Sequence, residues 1–429
     1  MIETIYLTVA IILGLASFTA LVKGRSIGWL VPFWFLVSMV TTEMAPWVLM
    51  IELGLVQFAL VFLDVGNSAV YLGLLWLSLS MAAMLVVLKR HFEAGQVFER
   101  ALATGLGDDF AQTIPLDRRH RLSNQIKAND WLHPVTFARA GVRVESNISY
   151  GPAGKRNLLD IYTPVTEGSG RPVLLQIHGG AWLMGHKAEQ AQPLMHHMAS
   201  LGWVVVAINY RLSPSATFPD HIIDVKKAIA WIREHIHQWG GNADFLAVTG
   251  GSAGGHLTTL AALSGNHPEW QPGFEDADTR VQAAMPLYGA YDFCNRHNIR
   301  QNTAIDNPIL TRVMKTTKEA SPELYDRASP IAWVGPQAPP FFVVQGENDT
   351  LVWMEEARRF VAELADVTER ELVYAELPGA QHAFDTVHSP RTSHWINAAA
   401  WWLEWAYADW QAREQACERA TADRPIDRQ

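Results

Sequence analysis

Hydrophobic and polar positions fall into two textures along the chain. Through residue 88 the apolar positions run on with few breaks: residues 5–22 and 68–88 contain no charged side chain, and each run matches the roughly 20 residues that a helix needs to cross a bilayer. Both predict transmembrane helices. Residues 28–63 between them are apolar except for Glu43 and Glu52, with Pro32 and Pro46 interrupting. That segment reads either as one tilted span plus a re-entrant piece or as two short spans, so residues 1–90 are expected to form a module of three or four spans. No charged segment precedes the first run and a second long apolar run follows, which favours a retained span over a cleaved leader.

From about residue 142 the pattern changes to short β-branched runs punctuated by Gly, Pro and Asn. Val142 to Tyr150 and Asn157 to Tyr162 predict a hairpin around Gly151–Gly154. The runs Val173–Ile177, Val204–Ile208, Phe245–Thr249, Ala283–Leu287, Phe341–Val344 and Leu372–Ala375 are apolar almost throughout, as strands buried on both faces are. Helical spacing separates most of them; Ile222, Val225, Ile229 and Ile232, for example, lie on one face before Gly240-Gly241 ends the run. Strands alternating with helices predict an α/β fold with a mostly parallel sheet. Residues 91–135 read as a linker or helical collar, 136–411 as the folded domain with a polar cap insertion at about 290–335, and 412–429 as a charged tail.

Charge is as uneven as hydropathy. Residues 1–88 hold only Lys23, Arg25, Glu3, Glu43, Glu52 and Asp64, so the net charge of −9 belongs mostly to the remainder and argues against nucleic acid as a partner. The two cysteines, Cys294 and Cys417, lie far apart without a C-x-x-C spacing or a Cys/His cluster, so neither a zinc site nor a disulfide framework is expected. With three spans, Lys23 and Arg25 lie on the same side as Lys89 and Arg90, which the positive-inside rule makes cytoplasmic; four spans would leave that rule silent. Glu43 and Glu52 read as interfacial groups near Pro46, the alternative being an ion or proton path. The basic run Arg118-Arg119-His120-Arg121 reads as a solvated face or a contact with anionic headgroups.

The chemistry-bearing residues cluster after strands. Gly250-Gly251-Ser252-Ala253-Gly254 follows the strand Phe245–Thr249 and precedes a helix candidate, the strand, turn and helix in which a serine hydroxyl is held above a sheet edge. His178-Gly179-Gly180-Ala181-Trp182 follows Val173–Ile177. Backbone N–H groups of Gly179, Gly180 and Ala253 are expected to converge on a developing oxyanion, and His178 reads as a group that fastens the loop. Asp349 follows Phe341–Val344, with Glu347 and Asp385 as alternative acids, and His382 follows Leu372–Ala375. The candidate triad is therefore Ser252, Asp349 and His382, with His178, Trp182, Gly250 and Gly254 in supporting positions.

Residues 140–410 resemble the bacterial hormone-sensitive-lipase and carboxylesterase branch of the α/β-hydrolases. The resemblance rests on His178–Trp182, Asn209-Tyr210-Arg211-Leu212-Ser213-Pro214, Gly250–Leu257 and His382-Ala383-Phe384. Two positions depart from it: Ala181 replaces the third glycine of His-Gly-Gly-Gly, as in feruloyl-esterase-like and kynurenine-formamidase-like relatives, and Gly251 stands where the branch commonly carries Asp or Glu. The apolar N-terminal module is similar to that of membrane-bound actinobacterial esterases. The resemblance implies an α/β-hydrolase that is a membrane-anchored serine esterase or lipase, acting on a lipophilic ester in contact with membrane lipids of a bacterial cell membrane. Neither a metal nor an organic cofactor is expected. Amidase, formamidase or peptidase activity on the same machinery, and a degenerate membrane interaction protein, are the alternatives.

Overall fold

Four apolar helices precede the sheet in the computed structural model, which describes residues 1–24, 30–300 and 306–422. They are α1 (Ile2–Thr19), α2 (Val31–Glu43), α3 (Ala45–Phe62) and α4 (Ser68–Leu106). Pro32 and Pro46 open α2 and α3 instead of breaking them, because the first turn of a helix has no use for the missing N–H. Asn67 caps α4, its Oδ1 accepting the Ala69 N–H at 2.9 Å. α1, α3 and α4 are long and apolar enough to cross a membrane, and α2 is shorter. Arg25 lies outside the described residues.

α4 is 39 residues long and runs through residue 90 without a break. Beyond it the short helices α5 (Leu116–Arg119) and α6 (Ala128–Leu132) lead to the sheet. Arg118 fastens the basic run to the domain, donating to Glu404 at 2.9 Å and lying 5.1 Å above the Tyr407 ring, while Arg119 donates within the collar to the Ala111 carbonyl.

The sheet comprises β1 (Val142–Ser149), β2 (Leu158–Pro164), β3 (Arg171–Ile177), β4 (Val204–Ile208), β5 (Gly241–Gly251), β6 (Ala283–Leu287), β7 (Phe341–Gly346) and β8 (Leu372–Leu377). They lie side by side in the order β1-β2-β4-β3-β5-β6-β7-β8. The β1–β2 hairpin and its junction with β4 are antiparallel; every pair from β4 to β8 is parallel. The connecting helices are α7 (Gln192–Ser200), α8 (Asp220–His235), α9 (Ala253–Leu263), α10 (Asp306–Met314), α11 (Pro322–Arg327), α12 (Met354–Ala365) and α13 (Pro390–Ala422).

Alternate strand residues feed two cores. Val173, Leu175 and Ile177 of β3 join Ile222 and Ile229 of α8, Leu257 of α9 and Phe360 of α12 on one face. Leu174 on the other face meets Met195 of α7, Trp402 of α13 and, from α4, Phe98 and Leu102. Burial on both faces is why these strands read as unbroken apolar runs. α10 and α11 occupy the expected cap insertion, in which residues 301–305 lie outside the described ones, and α13 carries the chain through the first part of the expected tail as continuous helix.

Candidate active site

At the end of β5 the backbone turns at Ser252 with φ 59° and ψ −121°, and α9 begins at the next residue. Such a conformation costs a non-glycine residue on the order of 1–3 kcal/mol and persists only where its surroundings enforce it. Here the Ser252 N–H donates to the Leu287 carbonyl at 3.0 Å, and the turn is pressed against β3: a Cβ at Gly254 would lie 2.1 Å from the Ile177 carbonyl oxygen, and one at Gly250 2.5 Å from it. Gly251, one of the departures from the resembled branch, has a direct explanation. A Cβ there would lie 2.4 Å from the Tyr288 hydroxyl oxygen, so the tyrosine occupies the space an acidic side chain would need.

The loops after β7 and β8 bring Asp349 and His382 together. His382 Nδ1 lies 2.7 Å from Asp349 Oδ2, while Asp349 Oδ1 accepts the N–H groups of Leu351 and Val352, each at 2.8 Å. Gln345 Nε2 also donates to Oδ2 at 3.0 Å, and both the carboxylate and the imidazole are buried. An imidazole that donates from Nδ1 carries its lone pair on Nε2. The other two acids are engaged elsewhere: Glu347 accepts the Gly379 N–H and lies 3.4 Å from Lys23, and Asp385 accepts the Tyr288 hydroxyl. Burial pushes the Tyr288 phenol well up, reinforced by the Asp385 charge, so the hydroxyl remains a donor. The Tyr288 ring also lies 4.6 Å from the His382 ring, between the serine turn and the histidine loop.

In the loop after β3, His178 acts as a fastener. Its Nδ1 lies 2.7 Å from the Gly179 carbonyl, its ring stacks on Tyr210 at 4.4 Å, and the Tyr210 hydroxyl donates to the His178 carbonyl. Burial lowers its pKa to about 4, so it is neutral and stacks without charge. The N–H of Gly179 donates to Gln190 Oε1 at 2.7 Å. What the position requires is close approach, because a Cβ there would meet the Gly251 carbonyl at 2.7 Å and Ser252 Cβ at 3.1 Å. Gly180, Ala181 and Trp182 follow with positive φ, 114°, 53° and 58°, so Ala181 holds a left-handed conformation that the third glycine of the resembled motif would adopt without strain.

Four residues without an assigned role in the sequence reading support this geometry: Tyr288, Gln190, His256 and Gln381. His256 lies in the serine block but says nothing of its partners until the fold supplies them: Trp182 Nε1 donates to its Nδ1 at 3.2 Å and its Nε2 lies 2.7 Å from the Ala328 carbonyl. Gln381 Oε1 accepts the N–H groups of Thr350 and His382, tying the acid loop to the histidine loop. A further neighbour comes from the apolar module: Phe35 of α2 meets the His382 ring edge to face, centroids 5.9 Å apart. Glu43 and Glu52, expected at an interface, are both buried. Glu43 pairs with Arg391 of α13 and accepts from Ser389, whereas Glu52 accepts from Ser17 and Ser80 inside the helical module. Among the described residues no His, Cys, Asp and Glu group is arranged to hold a metal ion.

The BD-FAE family pattern matches residues 159–364, from β2 into α12. A probable carboxylic ester hydrolase, LipM of Mycobacterium tuberculosis, is 52% identical over 267 residues, 62% of this chain and 62% of LipM. Esterase LipQ of the same organism is 45% identical over 304 residues, covering 70% of this chain and 72% of LipQ. The chain belongs to the BD-FAE family of α/β-hydrolases. The match with LipM spans less than two thirds of that protein's length. Esterase B from Lactobacillus rhamnosis superposes on this BD-FAE protein with a TM-score of 0.54 over 75% of this chain and 98% of that one, at 20% identity, a likeness of fold.

Proposed function

We propose that this protein is a membrane-anchored carboxylic ester hydrolase working through an acyl-enzyme on Ser252. The observation that carries the reading is the 2.7 Å contact between His382 and Asp349 in loops joined through Tyr288 to the strained serine turn. Nε2 of His382 takes the hydroxyl proton as Ser252 Oγ bonds to the ester carbonyl carbon, and Asp349 holds the imidazole tautomer and stabilises the imidazolium. The N–H groups of Gly180 and Ala253 donate to the oxyanion. Nε2 then returns the proton to the alcohol oxygen as the C–O bond breaks. Water, losing a proton to the same nitrogen, attacks the acyl carbon, and Nε2 returns that proton to Ser252 Oγ as the acyl C–O bond breaks and the acid leaves. The names of LipM and LipQ support an ester as the bond broken.

The anchor is the set α1, α3 and α4. Lys23 approaches Glu347 and the Arg90 side chain covers Gly379, so the basic residues after the first and last spans both lie against the catalytic domain. That arrangement supports three spans with the domain on the positive, cytoplasmic face of a bacterial membrane. The test is fluorophosphonate labelling. Wild-type protein is expected to label in permeabilised cells and to resist a membrane-impermeant probe in intact ones, and Ser252→Ala to lose both labelling and ester hydrolysis while keeping its thermal stability. Normal labelling of Ser252→Ala would overturn the nucleophile; labelling of intact cells by the impermeant probe would overturn the orientation.

A further inference from the structure

α2 is built with two unlike faces. Phe35 and Ser38, one helical turn apart, face the catalytic domain: Phe35 lies against His382, and the Ser38 hydroxyl accepts from Gln381 Nε2 at 3.3 Å. Ser38 in turn donates to the Thr19 carbonyl at the end of α1, and Asn348, next to the candidate acid, donates to the Ala20 carbonyl. Phe33, Leu36 and Val40 form the opposite stripe and are 68%, 53% and 47% exposed. An apolar stripe of this kind would be a liability in water and is at home against acyl chains.

The surroundings say which liquid meets that stripe. α2 has 13 residues, which at about 1.5 Å per residue gives roughly 20 Å, short of the roughly 30 Å hydrocarbon core. It lies between α1 and α3, both long enough to span, at the end of the bundle that meets the domain, where Trp47 of α3 donates to the Trp131 carbonyl. One face of this short helix therefore touches lipid and the other touches the imidazole, so the candidate site is separated from the bilayer by about one helix diameter, roughly 10 Å.

We infer that α2 is the lipid-side wall of the active site and that Phe35 is a specificity-determining residue, packing against the alkyl chain of a membrane-partitioned ester that reaches His382 from the bilayer side. The inference rests on the ester hydrolase reading above. A ring at this position offers apolar surface to a long chain next to the imidazole, and offers little to an ester whose acyl group ends short of it. Selectivity of this kind arises from apolar contacts that only the longer substrate makes.

The experiment uses full-length protein in lipid nanodiscs with p-nitrophenyl butyrate and p-nitrophenyl laurate as substrates, and labelling by a small fluorophosphonate as an independent count of competent Ser252. Phe35→Ala is expected to lower kcat/KM for laurate by about 10- to 100-fold and for butyrate by less than about 3-fold, the loss of one phenyl contact being of that size. Phe35→Leu, which restores apolar bulk, should recover most of the laurate activity, and Phe33→Ala on the lipid stripe should leave the laurate-to-butyrate ratio unchanged. An unchanged ratio in Phe35→Ala overturns the inference. So does an equal loss on both esters with labelling lost in parallel, since that outcome makes Phe35 a packing residue. If wild-type protein hydrolyses neither ester and does not label, the ester hydrolase reading itself has failed, a result distinct from either.

Discussion

The two halves of α4 bury the same stripe and expose different ones. Val70, Gly73, Leu77, Ser80, Met84 and Val87 face inward on the apolar half, and His91, Ala94, Phe98 and Leu102 continue the series at the same three- and four-residue steps. The outward positions change character: Tyr71, Leu72, Leu79 and Leu85 are exposed before residue 88, whereas Lys89, Gln96, Glu99 and Arg100 are exposed after it, beside the apolar Phe92. One helix thus serves an apolar helical bundle at one end and the domain core at the other. The inward pattern is set by packing, which is blind to the solvent, and the outward pattern by whichever liquid the face meets.

The largest test of that comparison removes the helix. A chain beginning near residue 136 keeps Ser252, Asp349 and His382 but lacks α4 and the collar. With Phe98 and Leu102 seated among Phe342, Val373 and Trp395, its loss opens the second core, and the shortened chain is expected to give no folded, fluorophosphonate-reactive domain. A soluble, cooperatively unfolding product active on short esters would show that the domain half of α4 is a mere extension of the anchor.

The paired glutamates sharpen the contrast. Removing the Glu43 carboxylate strands Arg391, which is wholly buried, and breaking such a pair costs about 3–5 kcal/mol. Glu43→Ala should accordingly lower the unfolding temperature measured in detergent, with Glu43→Leu combined with Arg391→Met recovering most of the loss. Among the described residues Glu52 bonds only to serine hydroxyls within the module, so Glu52→Gln should cost about 1 kcal/mol or less. Equal losses for Glu43→Ala and Glu52→Gln would argue against a bolt between module and domain.

A cation placed on the outward face distinguishes the two halves directly. Leu79→Lys is expected to weaken membrane insertion by about 2.5–3.5 kcal/mol, read as reduced yield in the membrane fraction, whereas Gln96→Lys should change stability by no more than about 0.5 kcal/mol. A tolerated Leu79→Lys would mean that this face meets water.

Acid sensitivity should come from the domain. His256 is buried with its pKa lowered from 6.5 to about 3, and its Nδ1 accepts from Trp182. Because the folded state holds this histidine neutral while the unfolded chain protonates near 6.5, the unfolded state binds more protons as pH falls, and stability present above 6.5 is lost progressively towards 3. At pH 5 the loss attributable to His256 is about 2 kcal/mol. His256→Gln should flatten the pH dependence of the unfolding temperature between neutrality and pH 5; an unaltered slope would assign the acid sensitivity to other groups.

Much of this molecule is written in local pattern. The strand runs from Val142 to Ala375, the helical spacing of Ile222 to Ile232, the glycines around Ser252 and the charge-free runs before residue 88 each carry their meaning within about 20 residues, because pleat, helical turn and the length a helix needs to cross a bilayer impose short periods that side chains must match. The meeting of His382 with Asp349 was legible as well, since both follow strands of one parallel sheet and strand ends line up. What only the tertiary structure decided are pairings between distant segments: Tyr288 filling the space above Gly251, Gln190 taking the Gly179 N–H, Glu43 reaching Arg391 across most of the chain, and Phe35 resting on His382. No local period encodes these. A glutamate bound for an ion pair and one bound for two serines look alike in an apolar run, and the difference arises only when packing selects which buried charge meets which partner.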